Sequence, residues 1–250
     1  MHRTRSSIRP AFPLVAVALA VGTSTPAAAQ SVSLGADVVS RYIWRGLDFG
    51  ESASFQPGLT VSLDKLEFGA WGSYSISASG AAANENDLWA SFTHSFESGA
   101  SLSLGVTDHY FPNLLVTDDG GEEYALDFRD GDAHTLEIWA SLAGPESLPL
   151  SIYAGRLLDD DGSLYAEVGA PLIEAEGVEL AAHLGYVGGE SAFYVTEGAG
   201  VVNVGVTAST ELAITESFAP PVSVSYVVNP SKAESRGSRA YLFFGLSISP

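Results

Sequence analysis

The 250-residue chain has no cysteine, and that absence removes both disulfides and a cysteine-linked lipid anchor. Charge is scarce as well. Asp, Glu, Lys and Arg make up 16% of residues, where soluble domains carry about a quarter; so sparse a surface suits a wall that faces lipid. Basic residues are the rarest part of it, 11 against 30 acidic, for a formal net charge of -19. Such acidity argues against nucleic acid and points to small solutes, cations or neutral molecules, as what the protein meets. Long apolar runs are also missing after residue 30, so the sequence offers no transmembrane helix there. Without helix, anchor or disulfide, an exported chain is either an ordinary soluble core or a barrel closed by its own hydrogen bonds.

Export itself is read from the first 30 residues. Arg3, Arg5 and Arg9 precede an apolar run from Ala11 to Val21, followed by Thr25-Pro26-Ala27-Ala28-Ala29. A basic head, a short apolar stretch and a small-residue end predict a signal peptide over residues 1–29, cleaved near Ala29, with one barrel domain over residues 30–250. The apolar run is too short to span a bilayer, and Pro13 interrupts it.

The stretch Val32 to Gly46 sets the pattern for the rest of the chain. Val32, Leu34, Ala36, Val38, Tyr42 and Trp44 share one face, and Ser33, Gly35, Asp37, Arg41 and Arg45 the other. Period-two alternation predicts a strand, here one long enough for a tilted membrane crossing, with Tyr42 and Trp44 as aromatic anchors at the lipid interface. The same alternation returns repeatedly. Phe55, Pro57, Leu59, Val61 and Leu63 oppose Ser54, Gln56, Gly58, Thr60 and Ser62; Asp64-Lys65 then turns the chain into Leu66 to Ile76. Strands at Leu88–Phe96 and Leu102–His109 are joined by Glu97-Ser98-Gly99, and further ones begin near Ala133, Leu148, Leu164, Val178, Val202, Val222 and Tyr241. Short connections, including one near Glu216-Ser217, alternate with long ones such as Phe111 to Asp132 and Gly188 to Gly200. The expected fold is all-β: a transmembrane antiparallel up-and-down barrel of about 12 strands, as in the outer membrane of Gram-negative bacteria. A soluble β-sandwich would alternate too. Its polar face would be charged, whereas the polar face here is nearly all Ser, Gly and Thr.

Ser40-Arg41-Tyr42-Ile43-Trp44-Arg45-Gly46 followed by Phe55-Gln56-Pro57-Gly58, then Phe68 to Tyr74, Thr107 to Pro112 and Pro221 to Tyr226, resemble in their order the TorF-type porins. These are a bacterial family of largely uncharacterised outer-membrane barrels. The resemblance implies a barrel and, by name, a pore, and brings no catalytic residues or cofactor. The chain departs from the aromatic last residue usual in such proteins by ending Ile248-Ser249-Pro250, which bears on recognition by the barrel-assembly machinery.

By parity, Asp37, Arg41 and Arg45 on the first strand and Glu67, Glu137, Glu167 and Glu179 on later ones face the lumen. They either line a pore and set its ion selectivity or brace the wall by pairing. Trp71, Trp89 and Trp139, with Tyr153 and Tyr165, face inward too, as a stacking surface for solutes or as filling for a narrow barrel. The acidic loops at Asp118 to Asp132 and Asp159 to Asp161 miss the EF-hand spacing and read as Asp-Gly turns; lipopolysaccharide, through bridging divalent cations, is their expected partner, beside the lipid itself. No metal cluster is expected. The rival readings are a non-conducting structural or adhesive barrel and a barrel-embedded hydrolase. For the latter, His109 is the one residue worth naming, and its neighbour Asp108 points to the opposite face. The expectation is a passive channel for small solutes and not an enzyme.

Overall fold

The computed structural model describes residues 30–159, 161–215, 218–233, 235 and 237–249. The expected signal peptide, Asp160 of the second acidic loop, the turn at Glu216-Ser217 and the terminal Pro250 lie outside them. Among the described residues twelve strands close into a barrel: β1 (Gln30–Val39), β2 (Ser54–Leu63), β3 (Leu66–Ser75), β4 (Glu85–Ser95), β5 (Ser101–Tyr110), β6 (His134–Ala143), β7 (Ser151–Leu157), β8 (Leu164–Ala175), β9 (Val178–Val187), β10 (Gly200–Glu211), β11 (Pro221–Val228) and β12 (Ala240–Ile248). Each pairs antiparallel with its sequence neighbours, and β1 pairs with both β2 and β12, so no edge is left unpaired. Closure matters because an open edge in lipid would strand backbone donors and acceptors with no water to satisfy them.

The alternation turns the barrel inside out relative to a soluble protein. Leu34, Leu88, Leu104, Ile138, Ile152 and Phe244 stand exposed on the outside, and they belong to the faces that alternate with Ser, Thr and Gly. An apolar exterior around a polar interior is the surface of a membrane barrel, and it excludes the sandwich. Short turns gather at one end. At Glu176-Gly177 both residues have positive φ, 53° and 78°, the type I′ geometry whose twist matches the strands it joins. In β8 the register slips between Pro171 and Ile173, as expected where a residue without an N–H interrupts a ladder.

The largest departure from the sequence expectation is in the stretch read as the first strand. β1 stops at Val39, and Tyr42–Trp44 pairs instead with Leu47–Phe49 as a separate two-stranded hairpin. Tyr42 and Trp44 are therefore not interface anchors; they are 2% and 1% exposed. The reason is local. Arg45 and Gly46 have φ of 42° and 77°, a second type I′ turn that folds the chain back after three residues and cannot continue a crossing.

The outside of the barrel makes a direct prediction. Leu104→Arg, near the middle of the apolar belt, should cost about 2–4 kcal/mol of folding free energy in lipid vesicles, measured by equilibrium refolding from urea. A soluble sandwich, whose exposed positions tolerate arginine, would lose almost nothing.

Candidate functional site

The hairpin at Tyr42–Phe49 enters the barrel at the end with the long connections and becomes the centre of its core. Ser40 marks the change of direction: its N–H donates to the Phe244 carbonyl at 2.8 Å, and its Oγ accepts from the Phe244 N–H at 2.9 Å. Beyond it, Arg41 Nε donates to Asp48 Oδ2 at 2.7 Å and clasps the base of the hairpin. One face of the hairpin, Tyr42, Trp44, Leu47 and Phe49, packs on Leu157, Tyr165, Val187 and Val202 of the wall and on Phe193 and Tyr194 of the β9–β10 connection. The other face sends Ile43 against Val227, Tyr241 and Phe243 on the far side. The hairpin thus reaches both sides of the lumen.

That β9–β10 connection is itself drawn inward. Asp161 Oδ1 accepts from the Ala192 N–H at 2.7 Å and Oδ2 from Ser191 Oγ at 2.9 Å, while Ser191 Oγ accepts from the Tyr194 N–H at 2.9 Å. An acidic loop expected to be only solvated therefore anchors Phe193 and Tyr194 over the hairpin. The other expected acidic turns are as read: Asp118, Asp127 and Asp130 accept from backbone N–H groups two residues on, the geometry of Asx turns.

Arg45, at the hairpin tip, carries the polar part of the site. Its Nη1 donates to Glu137 Oε1 at 2.9 Å and to the Tyr194 hydroxyl at 2.7 Å, and its Nη2 donates to Glu137 Oε2 at 3.2 Å. The guanidinium carbon lies 4.2 Å from the Tyr165 ring centre, 4.3 Å from Trp44 and 4.9 Å from Tyr153. A planar cation with a bidentate carboxylate and aromatic faces around it is well matched, and arginine serves there where lysine would not. Burial works against the charge on Arg45, and Glu137 beside it more than offsets that, holding the guanidinium protonated. Burial likewise pushes the phenols of Tyr42 and Tyr194 up.

Glu137 continues the network along the wall. Its Oε2 lies 3.5 Å from His109 Nε2, and His109 Nδ1 lies 3.2 Å from Asp87 Oδ1 and 3.4 Å from Glu85 Oε1. Tyr42 donates from the hairpin to Glu85 Oε2 at 2.9 Å. Glu85, Asp87 and His109 are all at most 1% exposed. The register explains the gathering: Asp87 and Thr135 flank His109 on the two neighbouring strands, and Glu137 is one pleat along from Thr135.

Of the residues expected to face the lumen, Glu137, Tyr153 and Tyr165 meet at Arg45, and Trp71 touches Tyr42 at 5.7 Å between ring centres. Trp139 stacks on Tyr153 at 6.0 Å and donates to Thr107 Oγ1 at 3.0 Å. Trp89 and Trp139 lie across Gly69 and Gly105 on the adjacent strands, where any Cβ would collide with the indole. Glu167 accepts from Asn203 Nδ2 at 2.8 Å and from the Tyr165 hydroxyl. Glu67 accepts from Ser62 toward the turn end, Glu179 is exposed at that rim, and Asp37 sits partly buried between Gln56 and Ser247. Arg41 and Arg45 require correction, since neither belongs to the first strand: Arg41 is spent on Asp48 and Arg45 is inside the lumen. Asp108 faces outward to His134 Nδ1 at 2.9 Å, away from His109. The alternation from Leu88 leaves out Glu85 and Asp87, because the strand begins three residues earlier than its apolar face; the signal for them is their parity with Trp89.

Removing Arg45 leaves Glu137 as an uncompensated buried charge, a loss of about 3–5 kcal/mol. Arg45→Met should therefore release the hairpin, raising acrylamide quenching and red-shifting the emission of Trp44, with far-UV strand content unchanged. Glu137→Gln in the Arg45→Met background should restore most of the protection.

Comparison with known proteins brings a family and no activity. No curated protein matches the sequence. A solved structure described as "KdgM porin in complex with disordered oligogalacturonate" is similar over 86% of this chain and 95% of that one, with a TM-score of 0.49 and 7% sequence identity. A family model described as "Bacterial protein of unknown function (Gcw_chp)" matches residues 23–227, and the chain belongs to that family.

Proposed function

We propose that the protein is an outer-membrane channel of the porin kind, passive and non-enzymatic, whose resting lumen is closed by the hairpin Tyr42–Phe49. The observation that carries this reading is the contrast between the two halves of the lumen. Toward the turn end the wall is small and hydroxylic: Thr93 and Ser103 share a hydrogen bond at 2.8 Å, and Thr207 and Ser225 another at 2.9 Å, with Thr60, Ser62, Ser141 and Ser223 partly exposed among them. Toward the loop end the space is filled by the hairpin and its aromatic partners. A wall of partly exposed hydroxyls is suited to small polar solutes, and a stopper tied by side chains instead of by strand pairing is suited to leaving.

In this reading the barrel is a porin of the TorF kind, residues 1–29 direct export, and the exterior belt meets lipid and lipopolysaccharide after assembly by the barrel-assembly machinery. Acidic residues outnumber basic ones in the whole chain by 30 to 11, so cations are the favoured ions. Trp71 becomes available for a solute to stack on when Tyr42 departs. A second reading, a non-conducting structural barrel, is favoured by one observation: Trp44 of the stopper, and Tyr194 and Val202 that it packs against, are almost completely buried.

Planar-bilayer recording separates the two. The unmodified barrel should give small, intermittent steps. A variant with Tyr42–Phe49 replaced by a Gly-Ser linker should give stable steps several-fold larger, with a reversal potential in a salt gradient that reports cation preference. A linker variant that is folded by heat-modified gel mobility and strand content, yet electrically silent, would overturn the channel in favour of the structural barrel.

A further inference from the structure

Glu85, Asp87 and His109 offer ligand atoms that all lie within 4.8 Å of one another in the buried wall of the lumen. We propose that they bind one divalent transition-metal ion of the zinc class, placed between the hairpin and strands β4 and β5. Imidazole nitrogen with carboxylate oxygen is a zinc donor set, and donors about 2.0–2.1 Å from a tetrahedral ion stand about 3.3 Å from each other. The two separations from the histidine match: His109 Nδ1 is 3.2 Å from Asp87 Oδ1 and 3.4 Å from Glu85 Oε1, with all three donors within 4.8 Å.

Both carboxylate oxygens of Asp87, and Oε1 of Glu85, are buried without a well-formed hydrogen bond among the described residues: Asp87 Oδ1 and Glu85 Oε1 share the single His109 Nδ1 at 3.2 and 3.4 Å, which can donate at most one proton between them. Buried carboxylate oxygens left in that state are costly, and each of these three is one that an ion between Glu85 and Asp87 would satisfy. The fourth oxygen of the pair, Glu85 Oε2, already accepts from Tyr42 and so is not needed by the ion.

Charge and orientation agree with the donor set. Arg45 neutralises Glu137, which leaves two carboxylates at Glu85 and Asp87 for a neutral histidine to share with one divalent cation. Glu137 Oε2 faces His109 Nε2 at 3.5 Å, so Glu137 favours the tautomer with the proton on Nε2, in which the Nδ1 lone pair of His109 is presented to the metal. A carboxylate behind a ligating histidine is the usual outer support of such sites. Arg45 fixes that carboxylate, and Tyr42 fixes Glu85, so the start and the tip of the hairpin would both sense the ion. The same charge balance can be met without metal by protonating His109 and one carboxylate, and this is the outcome the test must separate.

The full barrel is refolded with Zn²⁺, desalted, and its metal counted by mass spectrometry; parallel refolding with Co²⁺ reads the ligand field by visible absorption. One equivalent of zinc per chain and a Co²⁺ spectrum of nitrogen and oxygen ligation are expected. His109→Gln and Asp87→Asn should weaken binding at least about 100-fold, and Glu137→Gln by roughly 10- to 100-fold. Asp118→Asn with Asp127→Asn, in the outer loops, should leave it unchanged. Folded wild-type barrel that retains no metal would overturn the site in favour of the protonated cluster. Zinc retained equally by the His109 and Asp87 variants would overturn it as well, by locating the ion elsewhere. Should those variants fail to fold, the wild-type stoichiometry and Co²⁺ spectrum decide alone. None of these readouts depends on conduction.

Discussion

The bidentate pair between Arg45 and Glu137 joins the two parts of this molecule that the backbone leaves separate. The barrel is closed by its ladders and would persist without the hairpin. The hairpin has three cross-strand residue pairs of its own, too few for independent stability in water. It stays because its apolar faces are buried against both sides of the lumen and because its tip presents the only kind of cation that can be surrounded by Tyr153, Tyr165 and Trp44 and still be paired. Gly46 is required by the same arrangement: its positive φ makes the turn, and a Cβ there would run into the Val202 carbonyl. Replacing either residue of the tip therefore attacks the seal while leaving the wall alone.

The same contacts organise the lumen. Tyr42 at one end of the hairpin's first strand touches Glu85, and Arg45 just beyond the other end touches Glu137, so the hairpin bridges both ends of the acidic row that runs past His109. Displacing the hairpin would expose carboxylates that had been paired, and water would have to replace the lost donors. Displacement of the hairpin is thus opposed by electrostatics as well as by the loss of apolar burial. Asp161 of the β7–β8 connection holds Ser191, and through it Tyr194, of the β9–β10 connection as a latch over the hairpin, which must move for the hairpin to leave.

Most of the wall was legible in the sequence because a membrane barrel repeats one simple constraint. Lipid outside and polar space inside force the period of two, and the alternation of Leu66, Phe68 and Ala70 with Glu67, Gly69 and Trp71 records it directly. The lumen was less legible, for two physical reasons. The period of two does not say where a crossing ends, so Val32–Gly46 reads as one strand; the Arg45-Gly46 turn that breaks it lacks the Asn or Asp that usually marks type I′ geometry. And parity assigns a face but no partner. Glu137 and the tyrosines were placed inward, yet their meeting at Arg45 depends on the register of β6, β7 and β8 and on a segment folded in from outside the sheet. The gathering of Glu85 and Asp87 with His109 likewise needs the β4–β5 register, which no pattern along a single strand contains.

Hydrogen exchange of the unmodified protein in lipid vesicles, read by mass spectrometry on peptides spanning Tyr42–Phe49, tests the seal most directly. If the hairpin rests inside the lumen, its amides should exchange far more slowly than those of the exposed turn at Asp118–Glu122 and approach the protection of the neighbouring strands. Exchange of the hairpin as fast as that turn would mean that it lies in solvent, and that the lumen of this barrel is held open.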